Sequence, residues 1–348
     1  MSVYPHQTLI KQRGKLLHED GTLAQVGWSP QPMLDCNLED AHFYSLKFLQ
    51  GLRIKRWDYY GITTQKRYYS FTISNIGYMG VMFCYVLDFD SGEYEEETII
   101  TPFGQGVELA RNSTKGSCGF ENKKLKLHFS VEGENRHIFC EWPEFGKAGL
   151  YVDAVMELPD AHQSMNIVIP IERKRFYFNR KINCMPVSGS VRYGGSTIEL
   201  SPHTALGNQD WGRGVWAFSS HWVWASASGF LADGRRFGLN MGYGFGDLSK
   251  ATENAFILDG EVQKLGNVKF TFDSQDYKQP WYMTADDDRL QLTMTPFYDR
   301  VAETDLLLMG SSVHQLFGHY SGYVVADDGE KINIQGLVGF AEEHFAKW

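Results

Sequence analysis

The chain has 348 residues, 43% hydrophobic and 22% charged, which excludes a disordered polymer and predicts a packed interior divided over two medium-sized domains. Its 42 acidic against 33 basic residues give a formal charge of −9, and only small basic groups such as Arg173-Lys174-Arg175 stand out, which argues against nucleic acid or an anionic membrane as partner. Five cysteines, at 36, 84, 118, 140 and 184, are odd in number and widely spread, so they offer no disulfide framework and no zinc pattern, and buried, reduced thiols are expected.

The first residues, MSVYPHQTLIKQRGKLLHEDG, lack the apolar core of a signal peptide, and no later run approaches the roughly 18 apolar residues that span a bilayer. A cytoplasmic protein without stable membrane insertion is expected. LEDAHFYS at 38 to 45 reads as a short helix, and DSGE at 90 to 93 as a hairpin loop. NKKLKLHFSV at 122 to 131 alternates Leu125, Leu127, Phe129 and Val131 with polar residues, as a half-buried antiparallel strand does, and EGEN at 132 to 135 is the turn after it. NCMPVSGSVRYGG, with its Pro, Ser and Gly punctuation, places a boundary near 185 and hence domains of 1–185 and 186–348. Farther on, Asp-Gly pairs at 233, 259 and 328 sit between strand-like runs, VKFTF at 268 to 272 and RLQLTM at 289 to 294 alternate again, and GFAEEHFAKW at 339 to 348 reads as a last short helix. The fold class is therefore all-β, of antiparallel sandwiches or up-and-down barrels.

Residues 208 to 229, NQDWGRGVWAFSSHWVWASASG, hold Trp211, Trp216, Trp222 and Trp224 around Asp210, Arg213 and His221. If Asp233-Gly234 is a two-residue turn, Trp224 lies opposite Tyr243 and Trp222 opposite Phe245, which gives the hairpin one aromatic face. The reverse face would then be a bare floor of Gly and Ala with His221 and Asn240 as polar anchors. It leaves room either for another packed element or for a ligand.

Asp210, next to an indole, is the candidate proton donor, because a carboxyl in a dry aromatic site has its neutral form favoured; a turn-stabilising pair with Arg213 is the alternative. His221 is the candidate base or proton shuttle. Glu253 and Asn254 are further polar candidates just before a strand. GYGFGD at 242 to 247 lacks the spacing of a phosphate-binding loop, and His314 and His319, five apart in a strand region, fall on opposite faces, so neither a nucleotide cofactor nor a metal is expected.

The Trp-rich stretch, with DGRRFGLNMGYGFGD and ATENAFILDG after it, IGYMGVMFCYVLDFD before it and HYSGYVVADDGEKINIQGLVGFAEEHFAKW at the end, resembles the bacterial domain-of-unknown-function 2804 family over nearly the whole chain. That family is distantly similar to double lipocalin-like proteins that include AttH-like proteins, the carotenoid hydratase hydroxyneurosporene synthase and fungal Diels-Alder cyclases. The resemblance implies two consecutive lipocalin-like β domains and cofactor-free chemistry on lipophilic molecules. Asp210-Trp211-Gly212 matches the acidic residue beside a Trp-Gly pair in the hydratases, although Asn208-Gln209 and Arg213 replace their flanking pattern.

The resulting expectation is a cofactor-independent hydratase, isomerase or cyclase acting on a hydrophobic small molecule. Asp210 and His221 would be catalytic, and Trp211, Arg213, Trp222, Trp224, Asn240, Tyr243, Glu253 and Asn254 would bind substrate. A non-catalytic lipid or pigment carrier is the alternative. A carbohydrate-active sandwich using Asp210 and Glu253 as an acid pair is a third reading.

Overall fold

Where the sequence alternates, burial alternates with it. In Lys126–Glu132, Leu127 and Phe129 are buried and Lys126 is exposed; in Val268–Thr271, Val268 and Phe270 are buried while Lys269 and Thr271 face out. The structure is a computed structural model that describes residues 7–42, 44–306 and 309–347, with the backbone alone at 304–306 and 309. The first six residues of the N-terminal stretch thus lie outside the described residues.

Among the described residues, the strands form one sheet of thirteen and one of nine, both antiparallel, besides a small parallel pair. Each is a curled half-barrel of the lipocalin-like kind. The first curls around a core that includes Tyr60, Phe71, Leu127 and Ile138; the second curls around Met241, Phe256, Trp281 and Tyr320. Because strand side chains alternate, each sheet has a second face left over, and these faces meet across a seam of Tyr59, Tyr68, Tyr85, Trp224, Phe317 and Phe340.

The change of sheet falls between Leu206–Val215, which belongs to the first, and Ser219–Phe230, which opens the second. The expected division at 185 lies inside the single strand Arg175–Tyr193. Its punctuation marks a bulge instead: the register shifts between Ile182 and Met185, and Cys184 takes a positive φ of 61°. Before the bulge the strand lies between Met165–Glu172 and Leu206–Val215; after it, Met185 and Pro186 still pair with Gly207 and Leu206, and the remainder lies between Leu150–Met156 and Ser196–Leu200. Asn183, at the bulge, reaches into the second sheet, donating to Ser226 Oγ and to the carbonyls of Ala227 and Leu239.

Two expected helices are absent. Residues 339–347 belong to the strand Lys331–Lys347, hydrogen-bonded on both sides, to Ser219–Phe230 and to Met309–Val325; Trp348 lies outside the described residues. Pairing on two edges overrides the local helical pattern. Residues 38–42 and 44–45 form turns and bends, and a short 3-10 helix follows at Lys47–Arg53; Phe43 lies outside the described residues.

Asp259-Gly260 is a two-residue hairpin turn, with both residues at positive φ between Leu258 and Glu261. Asp233-Gly234 is not. Leu231 pairs with Arg235 around a three-residue loop whose Gly234 supplies the positive φ of 88°. That one extra residue moves the register by one, so Trp224 faces Gly242 and Val223 faces Tyr243. All five cysteines are buried and unpaired.

Candidate active site

The corrected register remakes the hairpin's faces. Trp222, Trp224, Ser226 and Ser228 share a face with Gly242, Asn240 and Gly238, so the tryptophans stand on the glycine side and look across the seam. The reverse face, with Val223, Ala225, Leu239, Met241 and Tyr243, lines the interior of the second half-barrel. Gly238 is no ligand floor: a Cβ there would meet Asn183 Cβ at 2.7 Å and Cys184 Sγ at 2.8 Å, because the bulge of the first sheet rests on it.

Asp210 lies on the seam side of Leu206–Val215, and alternation turns its neighbours Trp211 and Arg213 away. Arg213 pairs with Asp58 at 2.8 Å and lies over the Trp211 ring, on the opposite face of the sheet. The partner of Asp210 is Lys181, at 2.9 Å, on the adjacent strand Arg175–Tyr193. Asn179 Nδ2 (2.6 Å) and Trp57 Nε1 (3.1 Å) also donate to its carboxylate.

Lys181 continues to Glu253 at 3.4 Å and holds its ammonium 3.7 Å above the Trp224 ring. Burial alone would lower Lys181, but Asp210 and Glu253 outweigh it and keep the ammonium above its ordinary value. Asn240 completes this side: it accepts from Trp224 Nε1 at 2.8 Å and donates to the Glu253 backbone carbonyl at 2.8 Å. Asn254 is turned to the backbone, accepting from Gly242 N and donating to the Gly266 carbonyl.

Glu342 is a third acid here, after Asp210 and Glu253, and was not singled out by the sequence. It lies opposite Trp224 in the register and accepts hydrogen bonds from Trp222 Nε1 (3.1 Å) and Gln315 Nε2 (3.0 Å). Burial raises its pKa from 4.5 to about 7, against the lowering effects of the Trp222 hydrogen bond and of the Lys181 and Arg300 charges. Gln315 in turn accepts from the Tyr85 hydroxyl at 2.9 Å, and the hydroxyls of Tyr85, Tyr59 and Tyr68 run on to Asn208 Oδ1. Burial pushes Tyr85 up to about 12, so this relay consists of neutral hydroxyls. Trp57, Trp222 and Phe245, at one end of the seam, keep part of their rings exposed.

His221 belongs to a different place. It shares the inner face of the second half-barrel with Glu343, to which it is bonded at 2.9 Å; Tyr277 donates to the other oxygen of that carboxylate. The structure thus brings Asp210, Trp222, Trp224, Asn240 and Glu253 together and separates Trp211, Arg213, Tyr243 and His221 from them. Lys181 and Glu342 carried little signal in the sequence: Lys181 lies between Arg180 and Asn183 in a strand with several other polar residues, and Glu342 lies in a segment that only two-sided pairing makes a strand.

Among the described residues, no group of three or more His, Cys, Asp or Glu side chains is arranged to hold a metal ion, and no helix is long and apolar enough to cross a membrane.

The model of a family described as "Domain of unknown function (DUF2804)" matches residues 7–348. No curated protein sequence is significantly similar to the chain. Among solved structures, CghA is similar with a TM-score of 0.58 at 10% identity, over 97% of this chain and 97% of its own. A protein from Nitrosomonas europaea described as an AttH is similar with a TM-score of 0.51 at 11% identity, over 84% of this chain and 92% of its own. Kievitone hydratase from Nectria haematococca reaches 0.48 at 11% identity, over 84% and 88%.

Proposed function

The chain belongs to the DUF2804 family, and from that premise we propose that it is a cofactor-independent, acid-assisted enzyme of the hydratase, isomerase or cyclase type, acting on a hydrophobic small molecule at the seam between its two half-barrels. The observation that carries this reading is Glu342, a carboxyl with a pKa of about 7 enclosed by aromatic rings. Both of its oxygens accept an N–H, so its own proton is left for a third group. That group would be a double bond or carbonyl of the substrate. The partly exposed Trp222 ring, whose indole N–H holds Glu342, would shelter the positive charge that protonation creates.

Asp210 has a different part in this reading. Fixed by Lys181, Asn179 and Trp57, it is an oriented hydrogen-bond acceptor, suited to position a polar end of the substrate or an attacking water. The carbohydrate reading loses support, because one ammonium sits between Asp210 and Glu253, whereas a glycosidase pair needs one of its two carboxyls protonated.

The test begins with native mass spectrometry of the purified protein, to identify a copurifying hydrophobic compound, followed by turnover assays on that compound. Glu342→Gln should keep the ligand and lose at least about a hundredfold in turnover, the range of general acid catalysis. A wild-type chain that binds the compound and never transforms it is a carrier, and the enzyme reading then fails.

A further inference from the structure

The basic group at 173 to 175, unremarkable in the sequence, acquires company in space. The strands Ile54–Thr63, Leu206–Val215 and Arg175–Tyr193 are in register at one end, where Val215 pairs with Ile54 on one side and Phe176 on the other. Everything that enters or leaves these strands there collects at the same rim. Arg53 precedes Ile54, the Arg173-Lys174 turn precedes Arg175, and Phe218 follows Val215 by three residues. His42, Tyr44, Ser45, Arg53, Arg173, Lys174, Arg175 and Val215 line a cavity of about 600 Å³.

The charge of this cavity is one-sided in a chain that is otherwise acidic. Glu172 pairs with Arg175 at 2.8 Å; among the described residues no carboxylate lies within ion-pair distance of Arg53, Arg173 or Lys174, and Lys174 instead caps the His42 carbonyl. Arg53 also bears on its neighbour Lys55, whose pKa falls to about 7 first through burial and then through that guanidinium. An unpaired cationic cluster of this kind calls for an external anion.

The same rim is apolar beyond what a solvated surface needs. Tyr44 is 43% exposed, Leu46 52%, Phe48 78%, Leu52 38%, Phe103 71% and Phe218 51%, which is half of the exposed large hydrophobic side chains among the described residues. They are held out, not frayed: Gln50 of the 3-10 helix is buried and donates to the Ala41 carbonyl, Leu52 backbone abuts Gly77, and Phe103 N donates to the Tyr78 carbonyl in the same turn.

We propose that this rim is a docking surface for an anionic lipid bilayer, with Phe48, Leu46 and Phe103 entering the headgroup layer and the Arg53, Arg173 and Lys174 cavity receiving a lipid phosphate. Exposed aromatics flanked by cations are the combination that holds a protein on a charged membrane without crossing it. The rim also lies at the Trp57 end of the seam, where Trp57 stacks on Tyr177 and Trp216 packs tilted and edge-on against both. A lipophilic molecule leaving a bilayer there would meet aromatic rings first. The docking itself does not depend on the reaction proposed above.

Vesicle flotation tests it. The protein should float with vesicles of phosphatidylcholine containing about 30% phosphatidylglycerol, stay behind with pure phosphatidylcholine, and be released by about 0.5 M salt. Arg173→Glu with Lys174→Glu should weaken binding at least tenfold, since each cation near such a surface is worth about fivefold. Leu46→Ser with Phe48→Ser should weaken it by a similar factor while leaving the circular dichroism spectrum and the thermal midpoint unchanged, because these side chains are exposed. Absence of wild-type flotation, equal flotation with neutral vesicles, or full binding by the charge-reversed variant would each overturn the proposal. So would a pocket that binds inorganic phosphate in calorimetry while the protein ignores anionic vesicles, the mark of a site for a soluble phosphate compound.

Discussion

Glu342 and Asp210 lie on facing sheets, and their surroundings pull them to opposite roles. Asp210 has an ammonium and two N–H donors; Glu342 has two N–H donors, no direct cation and a dry aromatic enclosure. The sign of the consequence for stability follows from linkage. The folded pKa of Glu342, about 7, lies above its ordinary 4.5, so between these values the unfolded chain gives up the proton first, and stability falls as pH rises through that window. Glu342→Gln removes this loss. Relative to wild type, its unfolding free energy should improve between pH 5 and pH 8, by at most about 3 kcal/mol. Urea titrations at both pH values measure it, and parallel behaviour of the two proteins would show that Glu342 ionises normally. Asp210 stood out in the sequence because it sits among tryptophans. Its partner did not, because Lys181 is 29 residues away and only strand pairing makes them neighbours.

The hairpin of Ser219–Phe230 and Arg236–Tyr243 shows how much one turn controls. Alternation in each strand was legible, and so was the turn at Asp233-Gly234. Whether the loop holds two residues or three was not, since Asp-Gly serves in both, and that single residue decides which side of one strand shares a face with which side of the other. In the two-residue form the tryptophans would share a face with Tyr243 and Phe245; in the three-residue form they share one with Gly238, Asn240 and Gly242. The bulge at Asn183-Cys184 then explains the glycine at 238. Gly238→Ala would force a methyl group to within 2.7 Å of Asn183 Cβ, and a loss of about 1–3 kcal/mol is expected in urea unfolding, the usual cost of overpacking. An unchanged midpoint would mean that the bulge withdraws freely and does not lock the two sheets.

At the scale of the molecule, the two half-barrels are joined by the strand bulge, by the hydrogen-bonded relay from Asn208 to Glu342, and by ring contacts such as Trp224 with Phe340 at 4.9 Å and Tyr68 with Phe317 at 5.1 Å. Phe340 is fully buried in this seam, so Phe340→Ala should cost about 3–5 kcal/mol. Thermal unfolding followed by tryptophan fluorescence and by circular dichroism should give coincident transitions in wild type and a lower midpoint in the variant. If the variant loses less than 1 kcal/mol, roughly the smallest effect expected for a core truncation, the seam does not couple the halves.

The sequence by itself determined the all-β class, most of the turns and the burial of the cysteines, because period-two alternation and turn chemistry are local properties of the chain. Tertiary structure decided which strand lies beside which, and with that the pairing of Asp210 with Lys181 in place of Arg213, the recruitment of Glu342 from a segment that reads as a helix, and the gathering of Arg53 with Arg173 and Lys174 at one rim. Alternation assigns a side chain to a face; it says nothing about the partner across that face. Pairing is set by cooperative packing over the whole sheet, which no short stretch of the chain contains.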